Sequence, residues 1–567
     1  MLPLLSINNL SVNFDDTGSA IKAVDLISLN LQKGKIMALV GESGSGKSVT
    51  ALSVLKLLPR NSVTSGDIFF SPDGSQQIDL GKLSPQEIKK IRGNKIAMIF
   101  QEPMTSLNPV LTCGWQVMET LMAHQKLSRK KARERTTELI TQVELPDPAA
   151  MVNRYPHQMS GGQKQRVMIA MAISCNPDLL IADEPTTALD VSVQKSILEL
   201  IKKIQLQNGL AILLITHDLG LVADFADSVA VMYKGKIVEE GDAMAVLENP
   251  RHNYTKALLA CRPATNSKGK RLPVINDFTK DKNIITSAAN DQIITQHAAP
   301  GIPVLSVQKL KVYFPEKKDF FGKTTTFFKA VDDVSFDVMQ NETLGLVGES
   351  GCGKTTLART ILQLIKPTAG NIFLNGKDVS QLSPKELRNE RKDLQIVFQD
   401  PYGSLNPRIT IGEAIMEPMK VHQLYQNKGE RREKTISLLE QVQLSGTFIN
   451  RYPYQFSGGQ RQRICIARAL ALNPSFLLFD ESVSALDVSV QAQVLNLINE
   501  LKASFNFTAI FISHDLAVVH YISDRILVMN QGKIVESGTA DQVYHDPFND
   551  YTKKLIAAIP GKKSGLV

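Results

Sequence analysis

The sequence predicts an α/β protein made of two like domains. Three observations carry that reading. Apolar, β-rich runs alternate with helical patterns, a glycine-rich phosphate-binding motif appears at 41–48 and again at 348–355, and ordered blocks recur at an offset close to 300 residues. A repeat that long excludes small solenoid units and fits two complete domains. The boundaries fall at 1–261 for the first domain with its tail, 262–303 for a linker, and 304–567 for the second domain with its tail.

The elements follow in chain order. Residues 4–32 and 304–340 read as antiparallel opening strands. The runs KIMALVG (35–41), DLLIADE (178–184) and AILLIT (211–216) read as buried parallel strands. Helices are expected after Lys47, Ser160 and Val191, and a helical lobe over 110–158. Strand–helix alternation of this kind builds an α/β core. The linker is polar, interrupted by Pro, and without a sustained helical period.

Bulk properties narrow the function. The chain has 567 residues, 43% apolar and 21% charged, enough for two full cores. A net charge of +8 permits contact with anionic lipid or nucleic acid without demanding it. Five scattered Cys with no C-x-x-C spacing point to a reducing compartment and no zinc site. The start, MLPLLSINNLSVNF, has no basic stretch before an apolar run, so no signal peptide is expected. No window approaches the roughly 18 apolar residues of a membrane span.

The loop GESGSGKS (41–48) fits G-x-x-x-x-G-K-[ST], and GESGCGKT (348–355) repeats it. Gly41, Ser43, Gly44 and Gly46, like Gly348, Ser350, Gly351 and Gly353, let backbone N–H groups turn toward phosphate oxygens at a helix N-terminus. Lys47 and Lys354 can reach the β- and γ-phosphates. Ser48 and Thr355 can ligate Mg²⁺, and Val49 and Thr356 follow in the same turn. Asp183 and Asp480 end buried strands, where they can hold Mg²⁺ through water. Glu184 and Glu481 follow at once and are placed to orient or deprotonate an attacking water. An acidic pair after a strand is often only a helix cap, but beside a phosphate loop the catalytic reading prevails. His217 and His514 recur at one distance after the acidic pair, as γ-phosphate contacts that orient Glu and water. Gln101 and Gln399 end apolar strands, where each could touch Mg²⁺ or the water, or simply face solvent. SGGQ (160–163 and 457–460) opens a helix with a Ser cap and exposed N–H groups, a second anion-binding end suited to a nucleotide held elsewhere. Cys352 replaces Ser45 among these N–H groups; it reads either as a small buried residue or as a favoured thiolate that thiol reagents would block first and ATP would protect.

Phosphate loop, glutamine, SGGQ, acidic pair, ALD and histidine, in that order and twice, resemble the ATPase domains of ABC transporters. The resemblance covers nearly the whole chain except the linker. SLNP after each glutamine and the tails NPRHNYTKALL and DPFNDYTKKLI resemble the dipeptide, oligopeptide and nickel importer branch, and the fused pair resembles ATPases of glutathione and microcin C-type peptide importers. The resemblance implies a RecA-like core, an antiparallel β subdomain and a helical subdomain in each half. It implies ATP and Mg²⁺ as cofactors and head-to-tail docking of the halves. Site one would then comprise Lys47, Ser48, Gln101, Asp183, Glu184 and His217, closed by Ser457, Gly459 and Gln460. Site two would comprise Lys354, Thr355, Gln399, Asp480, Glu481 and His514, closed by Ser160, Gly162 and Gln163. Phe14 and Phe314 would stack on adenine, unless they or the adjacent Tyr313 are core, and Asp190 and Asp487 would cross between the halves. The implied partners are two membrane permease subunits, met through clefts lined by 103–125 and 401–423, and an extracytoplasmic solute-binding protein. The implied location is peripheral, on the cytoplasmic face of the bacterial inner membrane, with no direct nucleic acid contact. Many relatives have a cysteine-rich tail that can hold an iron–sulfur cluster; with only Cys261 in the first tail, none is expected here. The tail histidine usual before Pro-Tyr-Thr in the family is also replaced, by HNYT and NDYT. The rival reading is a soluble tandem ABC protein acting on ribosomes, but the linker lacks the long charged helices of that group. A DNA-repair ATPase would need Cys clusters that are absent.

Overall fold

The computed structural model describes residues 2–16, 19–101, 106–187, 189–263, 268–279, 303–318 and 324–561. Each half carries the same two sheets. In the first, Leu5–Asp16 pairs antiparallel with Ser19–Leu31 and Ser62–Phe70, and Ile78–Asp79 completes a four-stranded sheet. The second sheet has six strands in the order Lys236–Asp242, Ser228–Tyr233, Ile36–Val40, Ala211–Thr216, Leu179–Asp183, Ile96–Ile99. The last five run parallel and only the first is antiparallel. Every residue of Ile36–Val40, Leu179–Asp183 and Ala211–Thr216 is buried, as the unbroken apolar runs require of a parallel sheet covered on both faces. The second half repeats both sheets, with its parallel core on Thr343–Val347, Phe476–Asp480 and Thr508–Ser513.

Parallel pairing decides where the chemistry falls. The carboxyl ends of the strands lie at one edge, so the phosphate loop after Val40, Glu184 after Asp183, His217 after Thr216 and Gln101 beyond Ile99 are drawn together.

The expected helices form as Lys47–Val54, Gly161–Ile173 and Val191–Asn208. The lobe consists of Cys113–Gln125, capped by the Thr112 hydroxyl, Arg129–Gln142, capped by Ser128, and Pro148–Met151. Val117, Leu121, Leu139 and Ile140 of the lobe share one apolar cluster with Val167 and Ile169, so the lobe is fixed to the helix that SGGQ opens. Of the segment 103–125 expected to line a cleft, 103–105 lie outside the described residues; its second-half counterpart forms Pro401–Ser404 and Ile411–Val421. Among the described residues, no helix is long and apolar enough to cross a membrane.

The stretch read as a plain linker holds structure of its own. Ile275–Thr279 is a short helix, and Leu272 and Ile275 are buried in an apolar cluster that also contains Tyr254 and Cys261 of the first tail and Leu495 and Leu497 of the second half. The backbone there is paired by a side chain: Leu272 N–H donates to Asn496 Oδ1 at 2.9 Å, and Asn496 Nδ2 donates to Leu272 O at 2.8 Å. The Tyr521 hydroxyl donates to Lys270 O at 2.9 Å. A 3.6-residue period does not reveal this segment, because an amide side chain and a few buried apolar residues hold it, not an amphipathic helix. Residues 264–267 and 280–302 of the same stretch lie outside the described residues.

Asn496→Ala leaves a buried N–H and C=O unpaired, so it is expected to destabilise the chain by about 2 kcal/mol and to expose 268–279 to proteolysis. Denaturant unfolding together with limited proteolysis checks both; unchanged stability and cleavage would show that the docking is incidental.

Candidate functional site

Each phosphate loop is a turn between strand and helix. Gly46 and Gly353 sit at the helix N-caps with φ of 106° and 110°, and a Cβ there would come within 2.5 Å of Ala23 O or 2.1 Å of Ala330 O. Only glycine satisfies both the left-handed backbone and the close approach. Lys47 is buried, and its ammonium donates to the carbonyls of Gly41 at 2.7 Å and Glu42 at 2.9 Å. Lys354 does the same to Gly348 and Glu349, at 2.6 and 3.0 Å. Val49 packs on the core of its half, and Thr356 lines a cavity beside Thr355.

The acidic pair joins the loop in both halves. Ser48 Oγ donates to Asp183 Oδ1 at 3.1 Å, and Thr355 Oγ1 to Asp480 Oδ1 at 3.4 Å. Burial raises the carboxyl pKa of Asp183 and of Asp480. Glu184 and Glu481 take left-handed backbone, φ 47° and 46°, and are pinned there by N–H bonds to Ile215 O and Ile512 O, both 3.0 Å. That turn aims their side chains at the strand edge.

Glu184 is then surrounded by donors. Gln101 Nε2 and the Thr187 hydroxyl donate to Oε2 at 3.0 and 2.9 Å, and His217 Nδ1 lies 3.1 Å from Oε1. Burial pushes its pKa up, but the His217 bond and charge, Thr187 and Lys47 outweigh burial and hold it down at about 2. Burial pushes His217 the other way, yet its bond to Glu184 leaves its pKa above 6.5. Around Glu481 the arrangement is looser. Gln399 Nε2 donates at 2.8 Å, His514 Nδ1 lies 3.7 Å away, and Ser484 donates to the Glu481 carbonyl at 2.9 Å where Thr187 reaches a carboxylate. Burial and His514 again oppose each other, and the Glu481 pKa ends below 4.5.

The halves meet through the residues after ALD. Asp487 accepts the Ser43 N–H at 3.0 Å, and Asp190 accepts the Ser350 hydroxyl at 2.8 Å. Ser192 donates to Glu349 at 2.6 Å, and Ser489 donates to Glu42. A cavity of about 320 Å³ draws its wall from both halves: Thr187, Leu189 and Asp190 from one, and Lys354, Thr355, Gln399, Glu481 and His514 from the other. Phe328, which the sequence reading did not single out, lines this cavity and pairs across the strands with Phe314. Phe14 is half-buried and pairs with Ile21. Tyr313 is tied to Asp332 through its hydroxyl. The signal for Phe328 lies in the register of two long strands, which spacing along one strand does not give.

The structure does not bring the SGGQ turns into hydrogen-bond contact with the opposite phosphate loop among the described residues. Ser160 and Ser457 instead close capping boxes with Gln163 and Gln460. Gly162 and Gly459 lie against Val193 and Val490, where a Cβ would fall 2.7 and 2.3 Å from the nearest methyl. Of the two readings of Cys352, the structure favours the small buried residue. Burial outweighs Lys354 and raises its thiol pKa.

A phosphate loop, an acidic pair, a histidine and cross-half aspartates, present twice, define a nucleotide-hydrolysing cassette of the ABC class. The "ABC transporter" family model matches residues 24–187 and 331–484, and "Oligopeptide/dipeptide transporter, C-terminal region" matches 238–283 and 535–565. The chain belongs to the ABC transporter family as a fused pair of ATPase domains with oligopeptide/dipeptide-transporter tails. It is 46% identical over 565 residues to the glutathione import ATP-binding protein GsiA of Salmonella choleraesuis (strain SC-B67), covering 98% of this chain and 89% of that protein. It is 45% identical over 570 residues to the protein of the same name from Pectobacterium atrosepticum, covering 99% and 90%. Among solved structures, a dimeric ATP-binding cassette in a post-hydrolysis state with ADP and Pi matches 42% of this chain and 98% of its own, at 27% identity and a TM-score of 0.38. The protein is thus an ATP hydrolase coupled to transport, and none of these likenesses supports action on ribosomes.

Two outcomes test the electrostatics. A carboxyl lowered from 4.5 stabilises above that value and loses the effect as pH falls; a histidine raised above 6.5 stabilises below that value and loses it as pH rises through its folded pKa. The Glu184–His217 pair is therefore strongest in the window between, and His217→Ala is expected to lower Tm more at about pH 5.5 than at about pH 9.5. An equal loss at both would deny the ion pair. All five cysteines are buried, so a thiol titration of the native chain is expected to be slow at every one; rapid reaction of one equivalent, prevented by ATP, would restore a reactive Cys352.

Proposed function

We propose that the two halves form two composite ATP sites that power an importer of peptides or glutathione-like solutes. The observation that carries it is the set of donors on Glu184, held beside a phosphate loop whose other wall is furnished by the opposite half. In this reading Lys47 and Lys354 bind the β- and γ-phosphates, with the backbone of Gly41 to Val49 and of Gly348 to Thr356 around them. Ser457, Gly459 and Gln460 close site one, and Ser160, Gly162 and Gln163 close site two, when the halves draw together. Phe14 and Phe314 stack on adenine, with Phe328 beside the latter.

The hard oxygen donors of Ser48 with Asp183, and of Thr355 with Asp480, are within hydrogen-bond reach of each other and suit Mg²⁺, with Gln101 and Gln399 near. Bound there, the ion would neutralise charge on the phosphates. Glu184 and Glu481 orient the attacking water and accept its proton. Ionised Glu184 has the charge for this, and His217 fixes its direction; His514 does the same for Glu481. Because the halves share one chain, closure is intramolecular.

The load on this motor is a pair of membrane permease subunits, contacted beside Gln101 and Gln399, which receive solute from an extracytoplasmic binding protein. The chain then sits peripherally on the cytoplasmic face of the inner membrane. Support comes from the oligopeptide/dipeptide tails and from relatives named for glutathione import. Glu184→Gln combined with Glu481→Gln is expected to retain ATP binding and to lower turnover by at least about a hundredfold, the range of general-base catalysis. Hydrolysis at the wild-type rate in that double variant would remove the base assignment. ATPase activity that stays independent of solute after reconstitution with permeases and binding protein would remove the transport coupling.

A further inference from the structure

The family tails reach the phosphate loops directly. The tail helix Asn253–Ala260 follows a turn in which Glu239 accepts the N–H groups of Arg251 and His252, at 2.7 and 3.1 Å, and the His252 ring caps the helix by accepting the Tyr254 N–H at 3.1 Å. The second tail reaches the same shape with different residues. Glu536 accepts the N–H groups of Phe548 and Asn549, at 3.0 and 3.3 Å, and Asn549 caps Asp550–Ala557 by accepting the Tyr551 N–H at 2.9 Å. Both turns deliver a tyrosine to one place. The Tyr254 hydroxyl accepts the Glu42 N–H at 3.0 Å, and the Tyr551 hydroxyl accepts the Glu349 N–H at 3.0 Å.

Glu42 is the second residue of its loop, and its carbonyl, with that of Gly41, holds the Lys47 ammonium. Fixing the N–H of Glu42 therefore fixes the peptide next to that lysine. Tyr254 is 1% exposed and packs on Tyr233 with ring centroids 4.2 Å apart, so its hydroxyl has little freedom to move. Each tail also holds the opposite half. Residues just beyond the first tail are clasped by Asn496, while Ala557 O in the second accepts the Lys195 ammonium at 2.9 Å and Pro560 O accepts from Arg262 at 3.4 Å.

We propose that Tyr254 and Tyr551 are positioning residues for ATP binding, through which the transporter tails set the phosphate loops and link each loop to the docking of the other half. The proposal rests on the loops being the ATP sites, and Lys47→Ala tests that separately. Tyr254→Phe keeps the ring and its packing and removes only the acceptor. In the full chain it is expected to raise the KM for ATP about five- to tenfold, the size of one hydrogen bond, with kcat unchanged and a modest fall in Tm from the unpaired Glu42 N–H. Tyr551→Phe is expected to do the same, and the double variant more. Hydrogen exchange at residues 250–260 is expected to slow on adding Mg–ATP in the wild type and to lose that response in Tyr254→Phe. If KM is unchanged while Lys47→Ala still abolishes binding, the loop reading stands and the tail role is overturned. If Tm falls while KM for ATP and the exchange response stay as in the wild type, the tyrosine merely packs, which also overturns it.

Discussion

Asp190 and Asp487 each leave a local bond unmade, and the composite architecture depends on that. Both occupy the N-cap of an 18-residue helix, yet neither side chain caps its own helix. An aspartate there ordinarily bonds the second or third helical N–H and contributes about 1 kcal/mol. Here each carboxylate goes to the phosphate loop of the other half, Asp190 to Ser350 and Asp487 to Ser43. The capping energy forgone in each half offsets part of the gain from docking.

The strand edge that carries Glu184 and Glu481 shows a related tension. A glutamate in left-handed backbone costs about 1–3 kcal/mol, and Glu184 and Glu481 both carry that cost. The adjacent strand compensates by accepting each N–H, so the strain is sustained by the parallel sheet itself. The two sites differ in what that strain achieves. Thr187 supplies a hydroxyl to the Glu184 carboxylate, whereas Ser484 lacks the methyl that favours that rotamer and turns to the backbone. Site one is therefore the more tightly organised of the two, although their motifs look equivalent.

Much of this was legible in the sequence because it is local. The phosphate loops, the parallel strands, the SGGQ caps and the acidic pairs are contiguous patterns with their own physical signatures. What escaped depends on distance in the fold. Phe328 reaches the cavity only through the register of two long strands. Leu272 and Ile275 find their places against Asn496, more than 200 residues away in sequence. The tail tyrosines read as part of a recurring string, with nothing nearby to say that they touch residue 42 or 349. For Cys352 the sequence leaves burial and reactivity open, because loop N–H groups can be counted in a sequence but burial cannot. Its partner position makes the point: the Ser45 hydroxyl is buried without a hydrogen-bond partner among the described residues, so a thiol is the better-suited group there.

The pattern of identity between the halves follows from reciprocity. Ser192 pairs with Glu349, and Ser489 pairs with Glu42; Asp190 pairs with Ser350, and Asp487 with Ser43. Each half must thus present both sides of the same contact, the GES of its loop and the DVS that begins at the Asp of ALD. A change in either copy breaks one of two contacts, and no single compensating change in that half can restore it, because the partner residue lies in the other. DVS and GES are unchanged between the copies. Positions answered within their own half are freer: Ser48 and Thr355 both reach their own aspartate, Thr187 and Ser484 both stay by their own glutamate, and Ser45 and Cys352 fill the same space against their own loop. Among these contacts at the phosphate loops, the residues that differ between the repeats are ones answered within their own half; farther out, Lys195 and Asn496 also cross between the halves, but Ala492 and Glu199 stand at the matching positions.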